Sequence, residues 1–156
     1  MKRISLILLW GFCSMALSNV SFHGYLVQPP NCTISNAQTI EITFQDVLID
    51  DINGSNYEQT VPYSITCDTA VRDPSMEMKL SWSGTQSDFD DAAVSTDISG
   101  LAIRLKQAGQ SFKLNTALVV NETALPVLTA VPVKKSGVDL PEADFEAWAT
   151  LQVDYQ

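Results

Sequence analysis

The sequence predicts an all-β sandwich in a single domain, and three observations support this prediction. Short segments in which apolar and polar residues alternate recur about every ten residues, and Gly, Pro, Asn or Asp residues separate them. Alternation with a period of two is typical of strands that are buried on one face. No segment after the first 18 residues keeps the 3.6-residue period of a helix. Short strands at this spacing indicate two packed sheets.

A secretory signal peptide is expected at residues 1–18. Lys2 and Arg3 give a positive start, residues 4–16 are apolar, and Ala16-Leu17-Ser18 carries the small residues that signal peptidase reads. The apolar stretch is too short for a permanent membrane helix. Removal of Lys2 and Arg3 changes the formal net charge from −9 to −11. Because so acidic a surface repels phosphate, we expect no nucleic-acid partner.

Two cysteines, Cys32 and Cys67, remain after this processing. In an oxidising compartment they are expected to form a disulfide. A metal site is the alternative, but His23 is the only histidine, and two cysteines with one distant histidine are a poor ligand set for zinc. We therefore expect a disulfide, no metal and no small-molecule cofactor.

The mature chain begins with a detached apolar strand. Val20, Phe22 and Leu26 fall on one face of an extended segment, and Gly24 leaves a notch on that face. Pro29-Pro30 then separates this strand from the rest, because proline lacks a backbone donor and restricts its neighbour.

The strands that follow are predicted from the same alternation. They are expected at residues 39–44, 60–67, 76–82, 101–105, 111–114, 125–133 and 145–155. Residues 83–99 are polar and acidic and are expected to form a loop. One face of the segment 125–133 is expected to carry Val127, Thr129, Val131 and Val133. Trp82 and Trp148 are both expected in the core.

The predicted strands include an extra one before the domain but none that closes the sandwich at its end. If the strand at 145–155 is the sixth of an immunoglobulin-like topology, the seventh is absent, and a groove exposes core side chains at an open sheet edge. We expect this groove between the strands at 39–44 and 145–155. Its expected lining residues are Ile40, Ile42, Phe44, Leu151, Val153 and Tyr155. The detached strand is suited to fill such a groove on a neighbouring molecule, which is strand addition in trans.

The segment Phe22-His23-Gly24-Tyr25-Leu26-Val27-Gln28-Pro29-Pro30-Asn31-Cys32-Thr33-Ile34 resembles the N-terminal extension and first strand of chaperone–usher pilus subunits, the type 1 and P pilus family. Tyr155 matches their penultimate aromatic residue, and the cysteine spacing and Asp144-Phe145 also fit. The resemblance covers the whole mature chain. It implies an incomplete immunoglobulin-like β-sandwich lacking the last strand, with a donor-strand extension at residues 19–31 and the domain at residues 32–156. A glycine common in the family near the end of the chain is replaced here by Glu142 or Ala143.

The resemblance also implies partners and location. A periplasmic pilus chaperone lends a strand to the groove and holds the terminal carboxylate, which belongs to Gln156. At the outer-membrane usher, the extension of the next subunit replaces that strand. Here the donated side would be Val20, Phe22, Gly24 and Leu26. The short extension is more similar to minor tip or adaptor subunits, so we expect secretion through the periplasm, assembly in a fimbria on the bacterial surface and a role in adhesion.

No set of catalytic residues is found in the sequence. There is no G-x-S-x-G motif, and no histidine is placed beside a serine or a free cysteine to act as a base. An enzyme is therefore not expected. The alternative function is a self-contained secreted β-sandwich, acting as a binding module or adhesin, whose groove is filled by its own chain.

Overall fold

The computed structural model describes residues 18–26, 28–68 and 75–155. Gln156 and all but the last residue of the predicted signal peptide lie outside the described residues. The described part is built of strands, with two short 3₁₀ turns at Ser35–Ala37 and Ile49–Asp51. The predicted all-β class is confirmed.

Ten strands form within the described residues. They are β1 Cys32–Ile34, β2 Gln59–Thr60, β3 Ile65–Cys67, β4 Met78–Gly84, β5 Ala93–Ser95, β6 Leu101–Gln107, β7 Gln110–Ser111, β8 Leu118–Val120, β9 Leu128–Lys134 and β10 Ala149–Tyr155. Strands β10, β4 and β8 form one sheet, and β2, β9, β6 and β5 form another, to which β7 adds as a partner of β6. All pairs are antiparallel.

The main core joins the two larger sheets. Met78, Leu80 and Trp82 alternate along β4 and are buried, as the sequence predicts. They pack in one cluster with Leu105 of β6 and Leu128 of β9. The indole Nε1 of Trp82 donates a hydrogen bond of 2.9 Å to the Phe112 carbonyl, which satisfies a polar group that burial would otherwise leave unpaired.

The outer face of the five-stranded sheet is covered as well, which corrects two predictions. Ala93, Ala102 and Val133 form a second buried cluster with Phe89 packed against it. Ala93 belongs to strand β5, so the predicted loop at residues 83–99 contains a strand.

The predicted face of the segment 125–133 is wrong. Val127 is 62% exposed, while Leu128 and Ala130, which have the opposite parity, belong to the main core. Val131 and Val133 are buried too, and Phe89 packs against the cluster that contains Val133, so the other side of β9 is also covered. A strand covered on both faces loses the alternation that sequence reasoning depends on.

The predicted disulfide is confirmed. Cys32 and Cys67 are opposite each other in the register of β1 and β3, and their sulfur atoms are 2.07 Å apart. The bond fixes the first strand of the domain to the body of the sandwich. Directly before it, the Asn31 backbone N–H and side-chain amide donate to the carboxylate of Asp68 at 3.0 and 2.9 Å.

Candidate functional site

An open groove of about 1610 Å³ runs along one side of the sandwich. Residues 37–52 form one border and residues 138–151 form the other. Its floor includes side chains of the main core, namely Val61, Trp82, Leu105 and Ala130. A groove that reaches the core leaves apolar surface open to water, which proteins normally cover.

The first border is an extended segment without a partner strand. Ile40, Ile42 and Phe44 are half-buried and alternate with exposed residues, as the sequence predicts. Residues 39–47 nevertheless make no hydrogen bond to any other described residue, so they do not count as a ladder strand. Backbone groups of this kind are normally paired in a finished sheet.

The second border leads into β10. This strand lies at the end of its sheet and pairs with β4 alone among the described strands. The predicted strand at 145–155 begins only at Ala149, although Phe145 and Ala147 are half-buried in the expected alternation. Before β10, the Glu146 backbone N–H donates 2.8 Å to the Asp97 carboxylate, and the Asp97 N–H donates 3.1 Å to the Glu146 carbonyl. Apart from β4, no described strand forms a ladder with β10, although β1 lies close to it.

The remaining predicted groove residues lie in different places. Leu151 lines the groove together with Ile40, Ile42 and Phe44. Val153 packs against the main core. Tyr155 lines a second, smaller depression of about 610 Å³, beside Met78, Leu118 and Pro126. Strand β10 thus passes from the groove at its start to this depression at its end.

A buried hydroxyl supports the wall next to the second depression. The Tyr63 hydroxyl donates 2.7 Å to the Pro126 carbonyl. Partial burial raises the pKa of Tyr63, because the charged phenolate would lose its water. The raised pKa favours the neutral hydroxyl that donates this hydrogen bond.

The N-terminal extension lies outside the groove. Val20, Phe22 and Leu26 are 71%, 90% and 97% exposed, and none of them lines the groove. A Cβ atom added at Gly24 would meet no atom within 4 Å, so open space surrounds the predicted notch. The residues predicted to donate are thus free of the chain's own sandwich.

Sequence reasoning missed part of the second border. Val138 and Leu140 line the groove, but their segment shows no alternating run long enough to suggest a strand. Trp148 was expected in the core and is 72% exposed, so that prediction is wrong. In an extended chain, position 148 points to the face opposite to Phe145 and Ala147, and this pattern predicts an exposed side chain.

The described residues hold neither a metal-binding cluster nor a membrane-spanning helix. No three of their His, Cys, Asp or Glu side chains come together as a metal-holding group. No helix in that part of the chain has the length and apolar character needed to cross a bilayer.

Comparison with known proteins decides the family. The sequence model of the family described as Fimbrial protein matches residues 20–156. This chain belongs to the fimbrial protein family. It is a structural pilus subunit of the chaperone–usher type and not an enzyme, which confirms the resemblance seen in the sequence.

Two relatives come from Escherichia coli strain K12. The uncharacterized fimbrial-like protein YfcQ is 51% identical over 141 residues, which cover 88% of this chain and 87% of that protein. The uncharacterized fimbrial-like protein YfcR is 31% identical over 133 residues, covering 82% and 75%.

Solved pilus subunits share the fold of this fimbrial protein. The P pilus rod subunit PapA matches with a TM-score of 0.62 at 23% identity, over 88% of this chain and 100% of PapA. The P pilus adaptor subunit PapF matches with a TM-score of 0.58 at 22% identity, over 83% and 98%. The predicted incomplete immunoglobulin-like sandwich is the fold of these subunits.

Proposed function

We propose that this fimbrial subunit polymerises by donor-strand exchange. Its groove receives an extended apolar segment of another molecule, and its own Val20, Phe22, Gly24 and Leu26 enter the groove of a neighbour. One observation carries the proposal: a groove that reaches the core is bordered by residues 39–47, which make no hydrogen bond to another described residue, and by the start of β10, which forms a ladder with β4 alone among the described strands. A strand inserted there gains hydrogen bonds on both sides and covers the core.

The energetics favour a long-lived junction. Val20, Phe22 and Leu26 are exposed in the free subunit, and burying each is worth roughly 1.5–3 kcal/mol, or about 4.5–9 kcal/mol for the three together. Each new backbone hydrogen bond adds about 0.5–1.5 kcal/mol. This total is comparable to the whole stability of a small domain.

The same proposal covers the partners and the processing of the chain. Residues 1–18 are removed on secretion, residues 19–31 form the extension, and residues 32–156 form the domain. A periplasmic chaperone fills the groove and holds the carboxylate of Gln156 until an outer-membrane usher exchanges its strand for an extension. The open groove supports this, since an apolar cleft of this size needs cover before assembly.

We also propose a minor, adaptor-like position in an adhesive fimbria on the cell surface. The short extension and the Phe22-His23-Gly24-Tyr25-Leu26 pattern support this position. Immunogold labelling of fibres should then mark their ends. Labelling along the whole shaft would instead assign a rod subunit.

Deletion of residues 19–27 tests the donor assignment. The refolded truncated chain should still bind a fluorescent peptide with the sequence of residues 19–28, because its groove is intact. It should form no fibres in light scattering and electron microscopy. If it forms fibres at the rate of the full mature chain, the donor assignment is wrong.

Two matched substitutions test which face is inserted. Phe22 and Tyr25 are 90% and 89% exposed, so truncating either one leaves the folded domain unaltered. Phe22→Ala should slow fibre formation strongly, because an inward anchor is lost, whereas Tyr25→Ala on the outward face should not. Equal slowing by the two substitutions would show that the inward face is misassigned.

A further inference from the structure

The borders of the groove are strongly acidic. The first border carries Glu41, Asp46, Asp50 and Asp51, and all four residues are exposed. The second border carries Asp139, Glu142, Asp144 and Glu146, which are exposed too. Lys134 is the one lysine or arginine among the described lining residues, and its Nζ donates 3.1 Å to the Ile49 carbonyl.

These carboxylates are not neutralised within the described part of the chain. No ion pair there uses any of the eight. Four cations instead pair with acids elsewhere on the surface: Arg104 with Asp90, Lys106 with Glu58, Lys113 with Asp91 and Lys135 with Asp88. The negative field of the groove therefore remains available to whatever enters it.

The chain's own extension does not complement this field. Residues 19–28 contain no Lys, Arg, Asp or Glu. The positions that alternate with the inward face are Ser21, His23 and Tyr25, and none of them is a Lys or Arg. A second copy of this chain thus offers apolar anchors but no Lys or Arg side chain, and after the proposed cleavage its positive charge is the α-amino group of Asn19.

We propose that the groove selects a basic donor: the N-terminal extension of a different subunit, with apolar residues facing inward and Lys or Arg at outward positions. This inference rests on the proposed donor-strand function and names the chemistry of the incoming partner. Opposite charges at the rim of an interface act mainly on the rate of association and on discrimination between partners. The subunit is therefore suited to join a mixed fibre in preference to a homopolymer.

The association rate of two peptides, measured at about pH 7.5, tests the proposal. The refolded mature chain is mixed with two fluorescent peptides, one with the sequence of residues 19–28 and one carrying Ser21→Lys and Tyr25→Lys. At about 10 mM salt, where charges act over about 30 Å, the basic peptide should associate about tenfold faster. At about 1 M salt, where the range falls to about 3 Å, the two rates should agree.

Two triple variants with the same change in net charge locate the effect. Glu41→Gln, Glu142→Gln and Asp144→Asn neutralise the groove borders, and this variant should lose most of the rate advantage. Glu77→Gln, Asp88→Asn and Asp91→Asn neutralise residues outside the groove lining, and that variant should keep it. Urea unfolding of both variants identifies any loss of folding. The salt dependence of the two association rates is measured on the unmodified chain, so it remains a test even if a variant fails to fold.

The outcomes separate this inference from the proposed function. Equal rates for both peptides at low salt, or equal loss of the rate advantage in both triple variants, would overturn selection by the charges of the groove borders while leaving donor-strand insertion intact. If neither peptide binds at any salt concentration, the donor-strand function itself fails.

Discussion

Phe44 and Phe145 contact each other, with ring centroids 6.0 Å apart and ring planes inclined at 35°. The two rings come from the two segments that border the open groove. No backbone ladder joins these segments in the described structure, so the aromatic contact is a direct link between the two borders. Tilted aromatic pairs at this distance are attractive beyond the area they bury.

We predict a measurable coupling energy between the two rings. Phe44→Ala and Phe145→Ala should each lower the free energy of unfolding by about 1–3 kcal/mol, less than for fully buried rings. The double variant should lose less than the sum of the two, by about 0.5–1.5 kcal/mol. Urea unfolding of the refolded subunit measures all four corners of the cycle.

A second cycle provides the control for this coupling. Phe89 packs against the separate cluster of Ala93, Ala102 and Val133, on the outer face of the sheet that contains β9, β6 and β5. Phe44→Ala and Phe89→Ala should therefore be additive within about 0.5 kcal/mol. Additivity of Phe44 and Phe145 as well would mean that the ring contact does not stabilise the borders.

Gly84 is predicted to hold the start of β10 in place. A Cβ atom at this position would lie 2.7 Å from Val94 Cγ1 and 3.0 Å from the Trp148 carbonyl oxygen. Gly84→Ala should thus displace backbone at the second groove border and cost about 1–3 kcal/mol. Urea unfolding gives the loss, and Ser81→Ala on the same strand is the control that should cost less.

The clash with Val94 gives this prediction a second check. Val94→Ala removes the nearest atom, so it should cost less in the Gly84→Ala background than in the unmodified chain. Equal cost in both backgrounds would show that the Cβ is accommodated by another movement.

The Cys32–Cys67 disulfide is predicted to contribute about 3–4 kcal/mol to stability. The two cysteines are 35 residues apart in sequence, and closing a loop of this size restricts the unfolded chain. The double variant Cys32→Ser, Cys67→Ser should lose this amount in urea unfolding. Reductant should move the unmodified chain to the midpoint of the variant and leave the variant unchanged.

Glu58 gives a pH-dependent prediction. Its carboxylate accepts hydrogen bonds from Lys106 Nζ at 2.6 Å and Thr129 Oγ1 at 2.5 Å, and these bonds lower its pKa. Because the folded pKa lies below the unfolded value, the stabilisation is present above about pH 4.3 and is lost as the pH falls through the folded pKa.

The test compares Glu58→Gln with the unmodified chain. The substitution should cost under about 1 kcal/mol at neutral pH, since the ion pair is partly exposed to solvent, and should cost less at about pH 3. Glu41→Gln removes an exposed carboxylate that forms no ion pair with a described residue. This control substitution should leave the free energy of unfolding unchanged at neutral pH and at about pH 3. A cost of Glu58→Gln that does not vary with pH would assign the effect to packing.

Alternation of apolar and polar residues along the sequence predicted part of the burial pattern correctly, and the positions where it failed have physical explanations. Ile40, Ile42 and Phe44 have the predicted half-buried face, because a period of two is a local property of extended chain. The prediction of one buried face for β9 was wrong because its outer side is covered as well, in the cluster of Ala93, Ala102 and Val133 against which Phe89 packs. The predicted burial of Trp148 was wrong because its place in the alternation, opposite to Phe145 and Ala147, puts it on the exposed face despite its large apolar side chain.

The sequence by itself determined the strand character of the chain, the pairing of Cys32 with Cys67 and the apolar extension that precedes them. Each follows from local periodicity or from residue chemistry. Only the tertiary structure decided which segments lie side by side, and therefore that β10 forms a ladder with β4 alone among the described strands and that eight separate carboxylates line one groove. Strand neighbours and charge clusters arise between residues far apart in the chain, and no local pattern specifies them.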